Sequence, residues 1–228
     1  MRVAVVISGQ PRNFWLGYVS QKKWIFDKFK DIDLYMHCWD DPNMAGRQYV
    51  NEGGYVVTEP FPENYRDHLV SLYNPRSILF ERPKPVEFFN LNESHRSKMF
   101  PNVSLEATYS MYYSMYRSFC LLEDSGIDYD LIFRLRYDWE IKDIPATPLH
   151  KNTVYAPNDC PHKQSISDQF AFGDYNAMEA YCKTYEDLTG LCDRVYRIVA
   201  EPIQFLRLTE LGVGMIPLPI EYSIIKVN

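Results

Sequence analysis

Apolar and polar positions alternate in blocks along this chain. Arg2 to Ile7 is an apolar run of strand formers. It is followed by the turn-rich Ser8-Gly9-Gln10-Pro11-Arg12-Asn13 and then by Trp15, Val19, Trp24, Phe26 and Phe29, which predict a helix from about Trp15 to Phe29. Asp33 to Trp39 predicts a second strand. A helix near Glu63 to Tyr73 is stopped by Asn74-Pro75, and Ser77 to Glu81 is a short strand. Ser104 and Glu106 mark the start of a long helix whose Leu105, Tyr109, Tyr112, Tyr116 and Phe119 recur at steps of three and four. That aromatic stripe is expected to pack on a sheet, leaving Ser110, Ser114 and Arg117 off it and available to a ligand. Thr153 to Ala156, Phe170 to Gly173 and Tyr222 to Val227 read as further strands. An Asn176/Glu179 capping box opens one intervening helix, and another starts at Pro202 and closes at Gly212. Pro42 to Gly54 and Pro83 to Pro101 read as irregular loops. Strands alternating with helices predict an α/β fold: one domain over residues 1–228, with a mainly parallel mixed sheet and helices on both faces.

The sharpest change of pattern falls in Tyr129 to Glu140. Leu131-Ile132-Phe133 reads as a strand buried on both faces, and charge then recurs at every second residue, Arg134, Arg136, Asp138 and Glu140. On a continuous strand, residues two apart share a face, so two guanidiniums and two carboxylates would line one side of its carboxyl end. The arginines suit phosphate and the acids a hard divalent cation. The carboxyl edge of an open α/β sheet is where such folds bind ligands. Asp31-Ile32-Asp33 has the same acid spacing but precedes its strand, at the wrong end of the sheet. His37 reads as a hydrogen-bonded core histidine. Ser8, Gly9 and Arg12 follow the first strand, where a nucleotide phosphate would sit, yet neither G-x-G-x-x-G nor G-x-x-x-x-G-K-[ST] is present. Asp168, in the loop before Phe170 to Gly173, is a candidate general base or hydroxyl acceptor.

Composition narrows the function classes. With 228 residues and 46% hydrophobic content the chain can bury a sizeable core, and a net charge of −6 argues against a nucleic-acid surface. No apolar run approaches the ~20 residues of a membrane span, and the N-terminus reads as a first strand rather than a signal peptide. Five cysteines, odd in number and without C-x-x-C spacing, suggest reduced thiols and a cytoplasmic location.

Val5-Val-Ile-Ser8-Gly9-Gln10-Pro-Arg12, His37-Cys-Trp39, Tyr129-Asp-Leu-Ile-Phe-Arg134-Leu-Arg136-Tyr-Asp138 and Ser167-Asp168-Gln169-Phe-Ala-Phe-Gly173 occur in that order. Together they resemble small GT-A-type nucleotide-sugar glycosyltransferases of bacterial polysaccharide clusters, large DNA viruses and phages. The resemblance implies a nucleotide-binding half over residues 1–140 and an acceptor-side half over 141–228. It implies a UDP- or similar nucleotide-sugar donor, held by Ser8, Gly9, Arg12, Arg134 and Arg136, and a glycan or other hydroxyl acceptor. Mn²⁺ or Mg²⁺ would sit on Asp138 and Glu140, although glutamate stands where the family's Asp-x-Asp has a second aspartate. Asp168 matches an acidic position near the acceptor. A nucleotidyltransferase, a non-catalytic nucleotide- or carbohydrate-binding module, and hydrolysis by an Asp138/Glu140 pair remain as alternatives.

Overall fold

No polar side chain interrupts the run from Val3 to Ile7, so this segment has to be covered on both faces. In the computed structural model it is, with all five residues fully buried. The structure describes residues 1–41, 61–99, 104–160 and 164–225, and the backbone of 47–50 and 54–57. In chain order the elements begin with β1 (Val3–Gly9), α1 (Phe14–Trp24), β2 (Ile32–Trp39), β3 (Arg47–Val50), β4 (Gly54–Val57), α2 (Tyr65–Tyr73) and β5 (Ser77–Glu81). The long α3 (Leu105–Glu123) leads to β6 (Leu131–Leu135), β7 (Trp139–Asp143), β8 (Thr153–Pro157), β9 (Ala171–Gly173) and α4 (Tyr175–Cys182). The chain continues with α5 (Leu188–Arg194), α6 (Ala200–Glu210), β10 (Gly214–Leu218) and β11 (Glu221–Ile224).

Seven strands form the main sheet in the order β10-β8-β9-β6-β1-β2-β5. β1 lies near its centre, parallel to both β2 and β6, and β9 runs antiparallel to β6 and β8. Ala4, Val6, Tyr35 and Ile132 face a core filled from α3, α4, α5 and α6, whereas Val3, Val5, Ile7, Phe133 and Leu135 face one filled from α1 and α2. The expected mixed, mainly parallel sheet with helices on both faces is the architecture found. Each fully buried aliphatic side chain of this kind contributes about 1.5–3 kcal/mol, so these two layers fix where the strand ends lie.

Several elements depart from the sequence expectations. The first helix stops at Trp24, because Ile25 leaves helical geometry (φ −126°) to bury itself completely, and a 3₁₀ turn over Phe26–Lys28 follows. Residues 47–50 of the expected 42–54 loop pair antiparallel with 54–57, which begin at its last residue; 42–46 and 51–53 lie outside the described residues. Asp174, not Asn176, caps α4, accepting a hydrogen bond from Ala177 N at 3.0 Å. Pro202 is the third residue of α6, which already begins at Ala200. Ser114 is buried against His37 rather than turned to a ligand (Oγ to Nδ1, 2.7 Å), and Glu81 completes that histidine's partners at 3.0 Å.

The most consequential departure is in Tyr129 to Glu140. The strand ends at Leu135, Tyr137-Asp138 forms a turn, and the chain restarts as β7 in a separate antiparallel pair with β11. Tyr137 and Trp139 are fully buried in the α1-side core, which turns the backbone out of the β6 register. The carbonyls released from the sheet ladder need donors. Gln21, fully buried in α1, supplies them: its Nε2 donates to the carbonyls of Arg136 (3.0 Å) and Trp139 (3.2 Å). The expected one-sided ladder of Arg134, Arg136, Asp138 and Glu140 therefore does not form.

Candidate active site at the strand ends

β1 and β6 are parallel neighbours, so the loops that leave their carboxyl ends emerge side by side. Gly9 has φ +118°, a conformation that favours glycine and turns the chain into the Arg12 loop. Asn13, at φ 51°, donates from Nδ2 to the Ile225 carbonyl (2.9 Å), and Ile225 N donates to the Asp138 carbonyl (2.9 Å). The segment after β11 thus ties the Arg12 loop to the Asp138 turn. α1 presses on the same turn at Gly17, where a Cβ would overlap the Tyr137 carbonyl oxygen.

That framework brings Arg12, Arg136 and Asp138 together. Arg136 grips Asp138 with a two-point fork, Nε to Oδ1 and Nη2 to Oδ2, both 2.9 Å, and Arg12 Nη2 stands 3.4 Å from Oδ2. Asp138 is 5% exposed while Arg12 and Arg136 retain 20% and 23%, so the carboxylate lies beneath the guanidiniums. Burial alone would raise the Asp138 pKa; Arg136 and Arg12 overcome it and hold the group below the ordinary carboxylate range.

Asp168 forms the other half. The loop before β9 is pinned by Tyr181, whose hydroxyl donates to the Ser167 carbonyl (2.7 Å), and by Arg134, which donates from Nη1 to the Gln169 carbonyl. Arg134 is 1% exposed and shares the face of Ile132, on the α3 side of the sheet. Burial pushes the Asp168 pKa up, with Arg134 and Arg136 pulling against it. Across from it, at the start of α6, burial and the Asp168 charge push Glu201 up to about 7. Arg136 is therefore within electrostatic reach of both Asp138 and Asp168, and it joins the halves.

Four buried polar atoms at this end of the sheet find no hydrogen-bond partner among the described residues: Ser8 Oγ, Arg134 Nε, Trp139 Nε1 and Gln169 Oε1. Buried polar groups are ordinarily paired, so each of these atoms is open to a ligand group or an ordered water.

Of the sequence candidates, Ser8, Gly9, Arg12, Arg134, Arg136, Asp138 and Asp168 all lie at the strand ends. Glu140 is on β7, where its carboxylate accepts from Ser223 Oγ at 2.6 Å. Asp138 offers a poor seat for a divalent cation: both oxygens already face guanidiniums, and no group of three His, Cys, Asp or Glu fit for a metal occurs among the described residues. The donor set does not fit Mn²⁺ or Mg²⁺, which wants several oxygen ligands. Sequence reading missed Glu201, visible only as the residue before Pro202, and Gln21, a polar residue on the buried face of α1 where Trp15 and Val19, expected as its apolar positions, are exposed. Only the fold brings Glu201 to Asp168 and Gln21 to the turn.

All five cysteines are free, and no described helix is long and apolar enough to cross a membrane. No family model matches the chain, and no curated protein matches it by sequence. Solved structures do align over most of its length. They include the glycosyltransferase GlyE of Streptococcus pneumoniae (12% identity, TM-score 0.47, 94% of this chain) and the galactosyltransferase LgtC in complex with donor and acceptor sugar analogues (14%, 0.44, 93%). A nucleoside-diphosphate-sugar pyrophosphorylase of Vibrio cholerae aligns comparably (9%, 0.43, 93%). The chain spans 44% of GlyE, 72% of LgtC and 89% of the pyrophosphorylase. At these identities and scores the likeness is one of general chain path, and the assignment of chemistry falls to the site itself.

Proposed function

We propose that this protein is a glycosyltransferase that moves a sugar from a nucleotide-sugar, with a UDP-sugar the first candidate, to a hydroxyl of a glycan or glycoconjugate. The observation that carries the reading is Arg136, held in a fork on Asp138 and within electrostatic reach of the buried Asp168. A guanidinium pair suits a diphosphate, and a neighbouring buried carboxyl with a raised pKa suits proton transfer.

In this mechanism Ser8 and the Arg12 loop hold the donor, and Arg12 and Arg136 face the diphosphate. The bond between the anomeric carbon and the diphosphate oxygen breaks, and the arginines stabilise the charge that develops on the departing nucleoside diphosphate. The acceptor oxygen forms the new bond to the anomeric carbon, and its proton passes to Asp168. Glu201, raised to about 7, takes up the pair's first proton and leaves Asp168 ionised to accept the one released by the acceptor hydroxyl.

The test separates transfer from binding. In the purified protein, Asp168→Asn is expected to lower sugar transfer or donor hydrolysis at least about a hundredfold, the scale of a general base, while donor affinity stays within about threefold. Equal loss of affinity and turnover would return Asp168 to a binding or structural role. Donor binding without any turnover in the native protein would leave a non-catalytic binding module.

A further inference from the structure

The family resemblance leads one to expect a metal ion on Asp138, and the contacts of Asp138 oppose it. A metal-binding aspartate turns its oxygens toward an open cavity, and its neighbours are further oxygen donors. Asp138 has the opposite surroundings. Its two oxygens receive Nε and Nη2 of Arg136 at 2.9 Å each, and Oδ2 also faces Arg12 Nη2 at 3.4 Å. The carboxylate is more deeply buried than either guanidinium, 5% exposed against 20% and 23%. An incoming ligand approaching from solvent therefore meets the arginines first. Both oxygens of Asp138 already face guanidinium nitrogens, which leaves the carboxylate little room for a cation and puts arginine donors where an anion would arrive.

We infer that Arg12 and Arg136, oriented by Asp138 from beneath, bind the donor's diphosphate directly and take the place of the divalent cation. The inference rests on the transferase reading only in taking the donor to carry a diphosphate. Fork geometry explains why Asp138 sits where it does: engaging Nε and Nη2 of Arg136 fixes the guanidinium plane and leaves Nη1 outside the pair. The supporting layer is equally specific. Gln21 holds the Arg136 and Trp139 carbonyls, and Ile225 holds the Asp138 carbonyl, so the backbone on both sides of Asp138 is fixed. A flexible lysine would supply charge without that planar fork. Ser8 Oγ, at the end of β1 beside the Arg12 loop, is a buried hydroxyl without a hydrogen-bond partner among the described residues and is available to the same ligand.

The experiment is calorimetry on the full chain with inorganic pyrophosphate and, separately, with UDP, each in EDTA and again with Mn²⁺. Binding in EDTA, with affinity within about twofold of that in Mn²⁺, is the expected result. Arg136→Lys keeps the charge and is chosen to preserve folding, checked by thermal melting; it is expected to weaken pyrophosphate binding about tenfold, the scale of one charge-assisted hydrogen bond. Arg12→Lys should do likewise. Binding that needs Mn²⁺ and vanishes in EDTA would overturn the inference while leaving the transferase reading intact. So would Lys variants that bind as tightly as the native protein. Pyrophosphate binding in EDTA with no nucleotide-sugar bound or consumed would keep the arginine pair as a metal-free diphosphate site and sink the transferase reading. Absence of pyrophosphate binding under both conditions would overturn the inference outright.

Discussion

Gly17→Ala is the substitution in which local and tertiary physics disagree most clearly. Gly17 lies inside α1, and alanine in a helix interior is favoured over glycine by about 1 kcal/mol. Propensity alone therefore predicts a more stable protein. The structure predicts the reverse. An alanine methyl would overlap the Tyr137 carbonyl oxygen and stand 3.1 Å from the carbonyl carbon and 3.0 Å from Gln21 Nε2, all closer than an ordinary contact. Two of those atoms belong to the backbone of the Arg136–Asp138 turn, and the third is the amide that satisfies it, so no flexible side chain can yield. Relief requires helix and turn to part by about 1 Å, and overpacking of this kind costs roughly 1–3 kcal/mol. The net expectation is a loss of about 0–2 kcal/mol, small enough for the protein to remain folded. Function should suffer more, because a ~1 Å misplacement of a catalytic group costs on the order of a hundredfold in rate. The assay is a thermal melt beside donor turnover and pyrophosphate affinity. A raised melting temperature with unchanged turnover and affinity would refute the claim that α1 positions the arginine turn through Gly17.

Two further outcomes follow from the same geometry. Glu201 is raised from 4.5 to about 7 in the folded protein, so between those values the native state holds more protons than the unfolded chain and this group's contribution to stability is lost as pH rises. Glu201→Gln is therefore expected to be more stable than the native protein at pH 8, with the difference gone near pH 4; a difference independent of pH in chemical denaturation would remove Glu201 from the buried pair. Asn13→Ala loses the bond to the Ile225 carbonyl and places a Cβ residue without side-chain support at φ 51°, for a cost of about 1–2 kcal/mol and weaker pyrophosphate binding; unchanged affinity would show that the Arg12 loop does not depend on this tie.

The parts of this molecule that were legible from sequence are those governed by local pattern. The apolar run before Gly9, the stop at Asn74-Pro75, the Ser104 cap and most of the aromatic face of α3 express period and punctuation and are found in the structure, although Tyr116 stays only partly buried while Tyr113 and Met115 enter the core. Asn74 takes the left-handed conformation (φ 44°) at the end of α2, and Ser104 Oγ accepts from Ala107 N at 3.2 Å. The alternating charges after Phe133 were misleading for an equally physical reason. A period of two signals one strand face only while the strand continues, and continuity was decided elsewhere: by Tyr137 and Trp139 seeking the core, and by Gln21, more than a hundred residues earlier, supplying donors to the freed carbonyls. Glu201 escaped notice because its significance is its distance from Asp168, a tertiary quantity that no window of sequence contains.

The same break in the strand creates the site. Had β6 continued, Arg134, Arg136 and Asp138 would have shared one face, and Arg136 would have had no reason to fold back on Asp138. Ending β6 at Leu135 leaves Arg134 on the α3 face, where it anchors the Gln169 carbonyl beside Asp168, and lets the turn carry Arg136 over to Asp138 and Arg12. One short stretch thereby serves both halves of the proposed site. The two halves are nevertheless supported from opposite layers: Gln21 and Gly17 of α1 beneath the arginine turn, and Tyr181 of α4 together with Arg134 around the Asp168 loop. A perturbation on the α1 side should therefore fall first on anion affinity, and one on the α4 side on proton transfer. Arg136, which reaches both carboxylates, is in a position to couple them.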